Sequence, residues 1–243
     1  MTNKIKITYR KTLNKKIFTK DKMISAIREG ALKVAEIFIN GLDLPKITIN
    51  SVDDIILTGS NAAFNYSDLS DFDLHLVLDY DQAIKDYGAA APVLFNTYRS
   101  LWNQNHSITL GNQPVEMYIQ PTDDDLVAVG IYSIKNDTWI KKPEYNKPVF
   151  DGSDVDSKVE AVEQDIDMLL ASGQPNKNRV KEVLDSIREM RKIGLSTAAA
   201  EWSTDNLVYK QLRNNGSLQK LFDAYGSAGD KELTVEEFLD QAK

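Results

Sequence analysis

Apolar positions recur along this chain in two different ways, and the change comes near residue 150. Residues 3–9 (NKIKITY) alternate as a short strand would. From Asp21, the residues Ile24, Ile27, Ala31, Val34, Ile37 and Phe38 fall on one helix face, with Asp21 as the cap and Gly41 as the stop. Ile47–Ile49 and Asp54–Thr58, rich in Ile and Thr, read as β structure. A polar stretch (Gly59, Ser60, Asn61, Asn65, Ser67, Asp68) leads into DFDLHLVLD at Asp71–Asp79, the clearest strand of the sequence. Residues 81–104 read as helix, broken at Pro92. Strands follow at Val115–Gln120 and Leu126–Ile134, with a short one at Trp139–Ile140.

Residues 141–153, with Pro143, Pro148 and Gly152, form a connector. Beyond it the spacing is helical throughout. Val155, Val159, Val162, Ile166 and Leu169 make one face, and Val180, Val183, Leu184, Ile187 and Met190 a second. Leu207, Val208 and Leu212, then Leu218, Leu221, Phe222 and Tyr225, add two more, and Thr234 with Glu237 reads as a capping box for a last short helix. The pattern therefore predicts an α+β chain: a mixed-sheet part over 1–150 and an all-helical part over 151–243.

Composition narrows the chemistry. The 243 residues contain no cysteine, which removes disulfides, thiol nucleophiles, iron–sulfur clusters and thiolate zinc sites. Two histidines, His75 and His106, cannot build a three-histidine centre, so any metal would sit among oxygen ligands. The net charge of −7 argues against a protein that coats nucleic acid over its whole surface. Yet residues 1–22 carry eight Lys or Arg and one Asp, which makes RNA or DNA contact through this arm a partner hypothesis, against the simpler role of solubilising an acidic body. No apolar run approaches membrane-spanning length and the basic N-terminus lacks the apolar core of a secretory signal, so no membrane partner and a cytoplasmic location are expected.

The candidate chemistry lies in Gly59-Ser60, Asp71-Phe72-Asp73 and Glu116. Asp71 and Asp73 are two apart on one strand and leave the same face. Carboxylates held that close repel unless a cation lies between them. Glu116 begins another strand, and if the two strands are neighbours, three carboxylates meet in a hard oxygen site suited to Mg²⁺, with Mn²⁺ as a substitute. Gly59 and Ser60 end a strand where a small residue lets the backbone approach a phosphate and a hydroxyl adds a donor.

The run LTGSNAAFNYSDLSDFDLHLVLD resembles the signature of the DNA polymerase β-like nucleotidyltransferase superfamily: Gly-Ser, about ten residues, Asp-x-Asp, then an acidic residue on a later strand. Here residues 61–70 separate Ser60 from Asp71, Ser70 precedes the first Asp, and Glu116 in VEMYIQ matches the third carboxylate. The resemblance covers residues 55–120. With GIYSIKNDTW and EWSTDNLVYKQLRNNG, the whole chain is similar to nucleotidyltransferases encoded by tailed bacteriophages, which would place it in the host cytoplasm. It departs from many small members in having Asn61-Ala62-Ala63-Phe64-Asn65 where they carry an arginine.

The resemblance implies a mixed-sheet nucleotidyltransferase core and Mg²⁺-dependent transfer of a nucleoside monophosphate from an NTP, such as ATP, to an acceptor hydroxyl. Asp71, Asp73 and Glu116 would be the catalytic and metal-binding residues, and Gly59, Ser60 and Ser70 would serve the nucleotide. The acceptor, a small molecule, a protein or an RNA end, is left open. The competing reading is an inactive nucleotide-binding or regulatory module of the same fold.

Other residues have plainer readings beside functional ones. Lys210, Arg213 and Asn214 share one side of a helix and could close over a triphosphate, or be a solvated charged face. His75, on the Asp face, could contact a carboxylate or nucleotide, or simply pack; His106 is assigned no role. Asp123–Asp125 after Pro121-Thr122 reads as a turn. The tail GSAGDKELTVEEF has Lys231 where a calcium loop needs glycine, so a helix cap is the better reading. Trp102, Trp139 and Trp202 are expected in packing.

Overall fold

The computed structural model describes residues 9–124, 126, 128–145, 151–171, 173 and 175–233, the last five by their backbone alone. The predicted strand at 3–9 falls almost wholly, and the capping box at Thr234 wholly, outside the described residues. The chain divides into two compact units, with the boundary between Lys147 and Pro148.

The first unit is mixed α/β. Its elements in order are β1 (Phe18–Thr19), β2 (Lys22–Met23), α1 (Ser25–Gly41), β3 (Asp54–Leu57), β4 (Phe72–Leu78), α2 (Tyr80–Tyr87), α3 (Ala91–Asn105), β5 (Thr109–Leu110), β6 (Gln113–Pro121), β7 (Ile131–Ser133) and β8 (Thr138–Lys141). Six strands form one mixed sheet in the order β5-β6-β4-β3-β7-β8. Only β4 and β6 run parallel, and the helices α2 and α3 make the crossover that a parallel pair requires.

Alternation along β4 explains the layer. Phe72, Leu74, Leu76 and Leu78 face the core and are all buried, while Asp73 and His75 face the other way. Against the apolar face pack Phe38 from α1, Phe95 and Trp102 from α3, and Met117 from β6. Burying a side chain such as Phe38 or Phe95 contributes about 2–3 kcal/mol, so this face anchors the strand that carries the acidic residues.

Three expectations are corrected. Asp21 does not cap α1. It sits in the turn of the β1–β2 hairpin, where Lys20 has φ 56° and the Asp21 carbonyl accepts from Trp139 Nε1 at 2.8 Å. The residue at the helix start is Ile24, with Ser25 bonded to Glu29 one turn on. Ile47–Ile49 is turn, because Thr48 and Ser51 bond each other's amides and Ile47 bonds back to Leu44 across Pro45. Among the described residues of Leu126–Ile134 only Ile131–Ser133 is strand. The connection into β7 runs from Thr122, bonded to Leu78, to Gly130, where a Cβ would overlap the Ala62 carbonyl. β7 lies beyond β4 and β3 from β6 in the sheet, so the chain crosses two strands between β6 and β7.

The second unit is helical: α4 (Gly152–Leu170), α5 (Lys177–Ser196), α6 (Thr204–Asn214) and α7 (Ser217–Leu233). Side chains of Asp151, Asn176 and Ser203 cap the first three. Val159, Leu184, Ile187, Val208, Leu212 and Leu221 are among its buried core. Residues 226–233 continue α7, which leaves no room there for a calcium loop. Lys210 and Arg213 lie on α6, half-buried and exposed respectively. Among the described residues no helix is long and apolar enough to cross a membrane.

Candidate active site

The parallel register of β4 and β6 sets Asp73 beside Glu116, and His75 beside Tyr118. Parallel neighbours point to the same face, so the two residues' backbones stand one strand spacing apart, about 4.8 Å, with both side chains on the side away from the core. Asp71 lies two residues before Asp73, at the approach to β4, where its carbonyl accepts from Asn61 Nδ2 at 2.7 Å. Among the described residues no three acidic or imidazole groups form a preassembled metal cage. Repulsion between carboxylates without a cation favours that spread.

Gly59 meets Asp73 directly. The β3 strand delivers it through Thr58, whose amide donates to the Asp73 carbonyl at 3.3 Å. Gly59 has φ 72° and ψ −160°, a region closed to other residues, and a Cβ there would overlap Asp73 Oδ2. The glycine of the Gly-Ser pair thus allows the carboxylate to lie against bare backbone.

A single 3₁₀ turn, Ser60–Ala62, follows. The Ser60 hydroxyl donates to Ser70 Oγ at 2.8 Å, and Ser70 Oγ also accepts the Ser67 amide at 2.9 Å. Both serines therefore close the intervening loop on itself, and Ser60 shapes the loop before it can meet a phosphate. Asn61, fully buried, links the Asp71 carbonyl on one side to Asn14 Nδ2 on the other. This buried asparagine thus fixes the approach to Asp71. A sequence search for cations or carboxylates passes over it.

Beside the carboxylates, farther along the same face, lies a group of residues of which the sequence singled out His75 alone. His75 Nδ1 donates to Gln120 Oε1 at 2.5 Å, and its Nε2 faces Thr58 Oγ1 at 3.3 Å. Its ring stacks on Tyr118 at 4.5 Å between centroids. Tyr118 is bonded to Glu116, and burial, then the negative charges of Glu116 and Asp73, hold its hydroxyl well above the usual tyrosine range. The Arg99 guanidinium lies 5.4 Å from the Tyr118 ring centre, and its buried Nε has no hydrogen-bond partner among the described residues. Arg99 comes from α3, which lies along the β6 edge: Asn103 bonds both the amide and the carbonyl of Met117 at 3.0 Å. His106 caps α3 and stacks on Trp102 at 3.7 Å, away from this chemistry.

No family model matches this sequence, and comparison with curated proteins and with solved structures returns no match. The reading of the site therefore rests on its own geometry.

Burial lowers the His75 pKa to about 4, with the Arg99 charge acting in the same direction and the bond to Gln120 against it. The ring is neutral at pH 7. An unfolded chain takes up this proton near pH 6.5, so the stability held in the neutral ring is complete above that pH and is lost as pH falls towards 4. The contribution is on the order of 3 kcal/mol. Denaturant unfolding at pH 7.5 and 4.5 should show a larger acid loss in the natural protein than in His75→Asn. Equal losses would contradict a buried neutral imidazole.

Proposed function

We propose that the chain is a nucleotidyltransferase of the DNA polymerase β-like type, which transfers a nucleoside monophosphate from an NTP to a hydroxyl and releases pyrophosphate. The observation that carries this reading is the contact of Gly59 backbone with the Asp73 carboxylate, while Asp73 and Glu116 stand in register on one face. An oxygen-only donor set of three acids fits Mg²⁺ or Mn²⁺, with Asp71, Asp73 and Glu116 as the holders. Bound there, a divalent cation supplies charge neutralisation for the triphosphate and the developing oxyanions.

The chain's own residues supply position. Gly59 keeps side-chain bulk away from the phosphates, and the Ser60–Ser70 pair keeps the loop in shape. Asn61 sets the approach of Asp71. Glu116 is placed to accept the acceptor's proton, and the neutral His75 and the protonated Tyr118 keep the group beside it free of further titration near pH 7. Such an enzyme would work in the host cytoplasm, where NTP and Mg²⁺ are plentiful.

The commitment of Ser60 to Ser70 favours a second reading, a nucleotide-binding module without turnover. Incubation with each of four α-labelled NTPs and Mg²⁺ in host lysate separates the two. Transfer of label with pyrophosphate release is expected. Binding without label or pyrophosphate from any NTP would support the module.

A further inference from the structure

The basic segment is bound to the loop that carries Gly59 and Ser60. The Arg10 amide donates to the Phe64 carbonyl at 2.7 Å, the Tyr66 hydroxyl reaches the Leu13 carbonyl at 3.4 Å, and Asn14 donates to Asn61 at 2.8 Å. Leu13 and Ile17 are buried in the sheet unit's core. These anchors hold the backbone down while the charged side chains stand outward. Arg10, Lys11, Lys15 and Lys20 are exposed, and none of them makes an ion pair among the described residues. Lys16 and Lys22 are partly offset by Asp68 and Asp137, at 3.6 and 3.5 Å. The Arg10 guanidinium lies 5.6 Å from the ring centre of half-buried Tyr66, which puts a cation and an aromatic side by side on the loop.

A row of cations without ion pairs among the described residues, on an acidic protein, draws polyanions to that place. The row spans more than ten residues, longer than one triphosphate needs, and an aromatic beside it suits the exposed bases of a single strand. We propose that residues 10–22 form a track for single-stranded nucleic acid that leads its 3′ end to the carboxylate face. This rests on the nucleotidyl-transfer reading and names its acceptor. The 3′ oxygen bonds to the α-phosphorus, the P–O bond to the β-phosphate breaks, pyrophosphate leaves, and the hydroxyl proton passes to Glu116 and on to solvent. Lys4 and Lys6 lie outside the described residues, and the track does not depend on them.

Fluorescence anisotropy with 5′-labelled 20-nucleotide RNA and DNA strands tests the track. The logarithm of affinity should fall linearly with that of salt concentration. The triple variant Lys11→Gln/Lys15→Gln/Lys20→Gln should bind at least about tenfold more weakly, with a slope shallower by about 2, since each phosphate contact on a single strand contributes roughly 0.7. Salt-independent binding, equal behaviour of variant and natural protein, or binding to anionic vesicles but not to oligonucleotides would overturn the track. Calorimetry of the natural protein with NTP and Mg²⁺, beside the anisotropy of the same protein, keeps the two ideas apart. NTP binding without oligonucleotide binding removes the track alone, and oligonucleotide binding without NTP binding removes the nucleotidyl-transfer reading.

Discussion

Asp73→Asn should leave the protein folded and abolish nucleotidyl transfer, with a loss of at least about 10³-fold. The size follows from the several kcal/mol that a divalent cation contributes to such a reaction, at about 1.4 kcal/mol for each factor of ten. The side chain is on the solvent side of β4, opposite Phe72 and Leu74, so the amide removes charge without disturbing the core. Its neighbour Glu116 loses a repelling partner, and the cation-free variant should melt no lower than the natural protein. Circular dichroism and a pyrophosphate-release assay read the two halves of the expectation. Metal-dependent turnover within tenfold of the natural protein would remove Asp73 from the site.

Gly59→Ala should damage both fold and function, and so behave differently from Asp73→Asn. The backbone at φ 72° and ψ −160° is costly for any residue with a Cβ, by about 1–3 kcal/mol. The new methyl would also displace the Asp73 carboxylate. A thermal midpoint lowered by roughly 4–8 °C is expected for a loss near 2 kcal/mol in a chain of this size. Activity should fall with it, and saturating substrate should not restore activity, because the carboxylate itself has moved. An alanine variant with unchanged melting and full turnover would show that the loop does not constrain Asp73.

How much of this was legible in the sequence depends on how local the determining contacts are. The β4 strand is legible because its alternation is uninterrupted from Phe72 to Leu76, and the pause in the helical region before Pro92 because proline opens α3. The change to helical spacing beyond residue 150 is equally local, since α4, α5 and α6 each have their own cap and stripe. Ile47–Ile49 misled because β-rich composition says nothing of the Thr48–Ser51 turn. Leu126–Ile134 misled because its composition does not show that the chain crosses two strands between β6 and β7. At the site, Asp71, Asp73, Glu116, Gly59 and Ser60 stand out by residue type and spacing, whereas Asn61, Tyr118, Gln120 and Arg99 do not. Their partners are distant in sequence, as with Asn14 for Asn61 and His75 for Gln120, so only the folded structure reveals them.

The central claim is that Asp71, Asp73 and Glu116, next to the Gly59–Ser60 loop, bind a nucleoside triphosphate through a divalent cation. Calorimetric titration of NTP into the natural protein and into Asp73→Asn, each with Mg²⁺ and with EDTA, tests it most directly. The account predicts binding only by the natural protein with Mg²⁺, and a loss of at least about tenfold in affinity in the variant or with EDTA. NTP binding of equal strength in all four titrations, or in none, would contradict it.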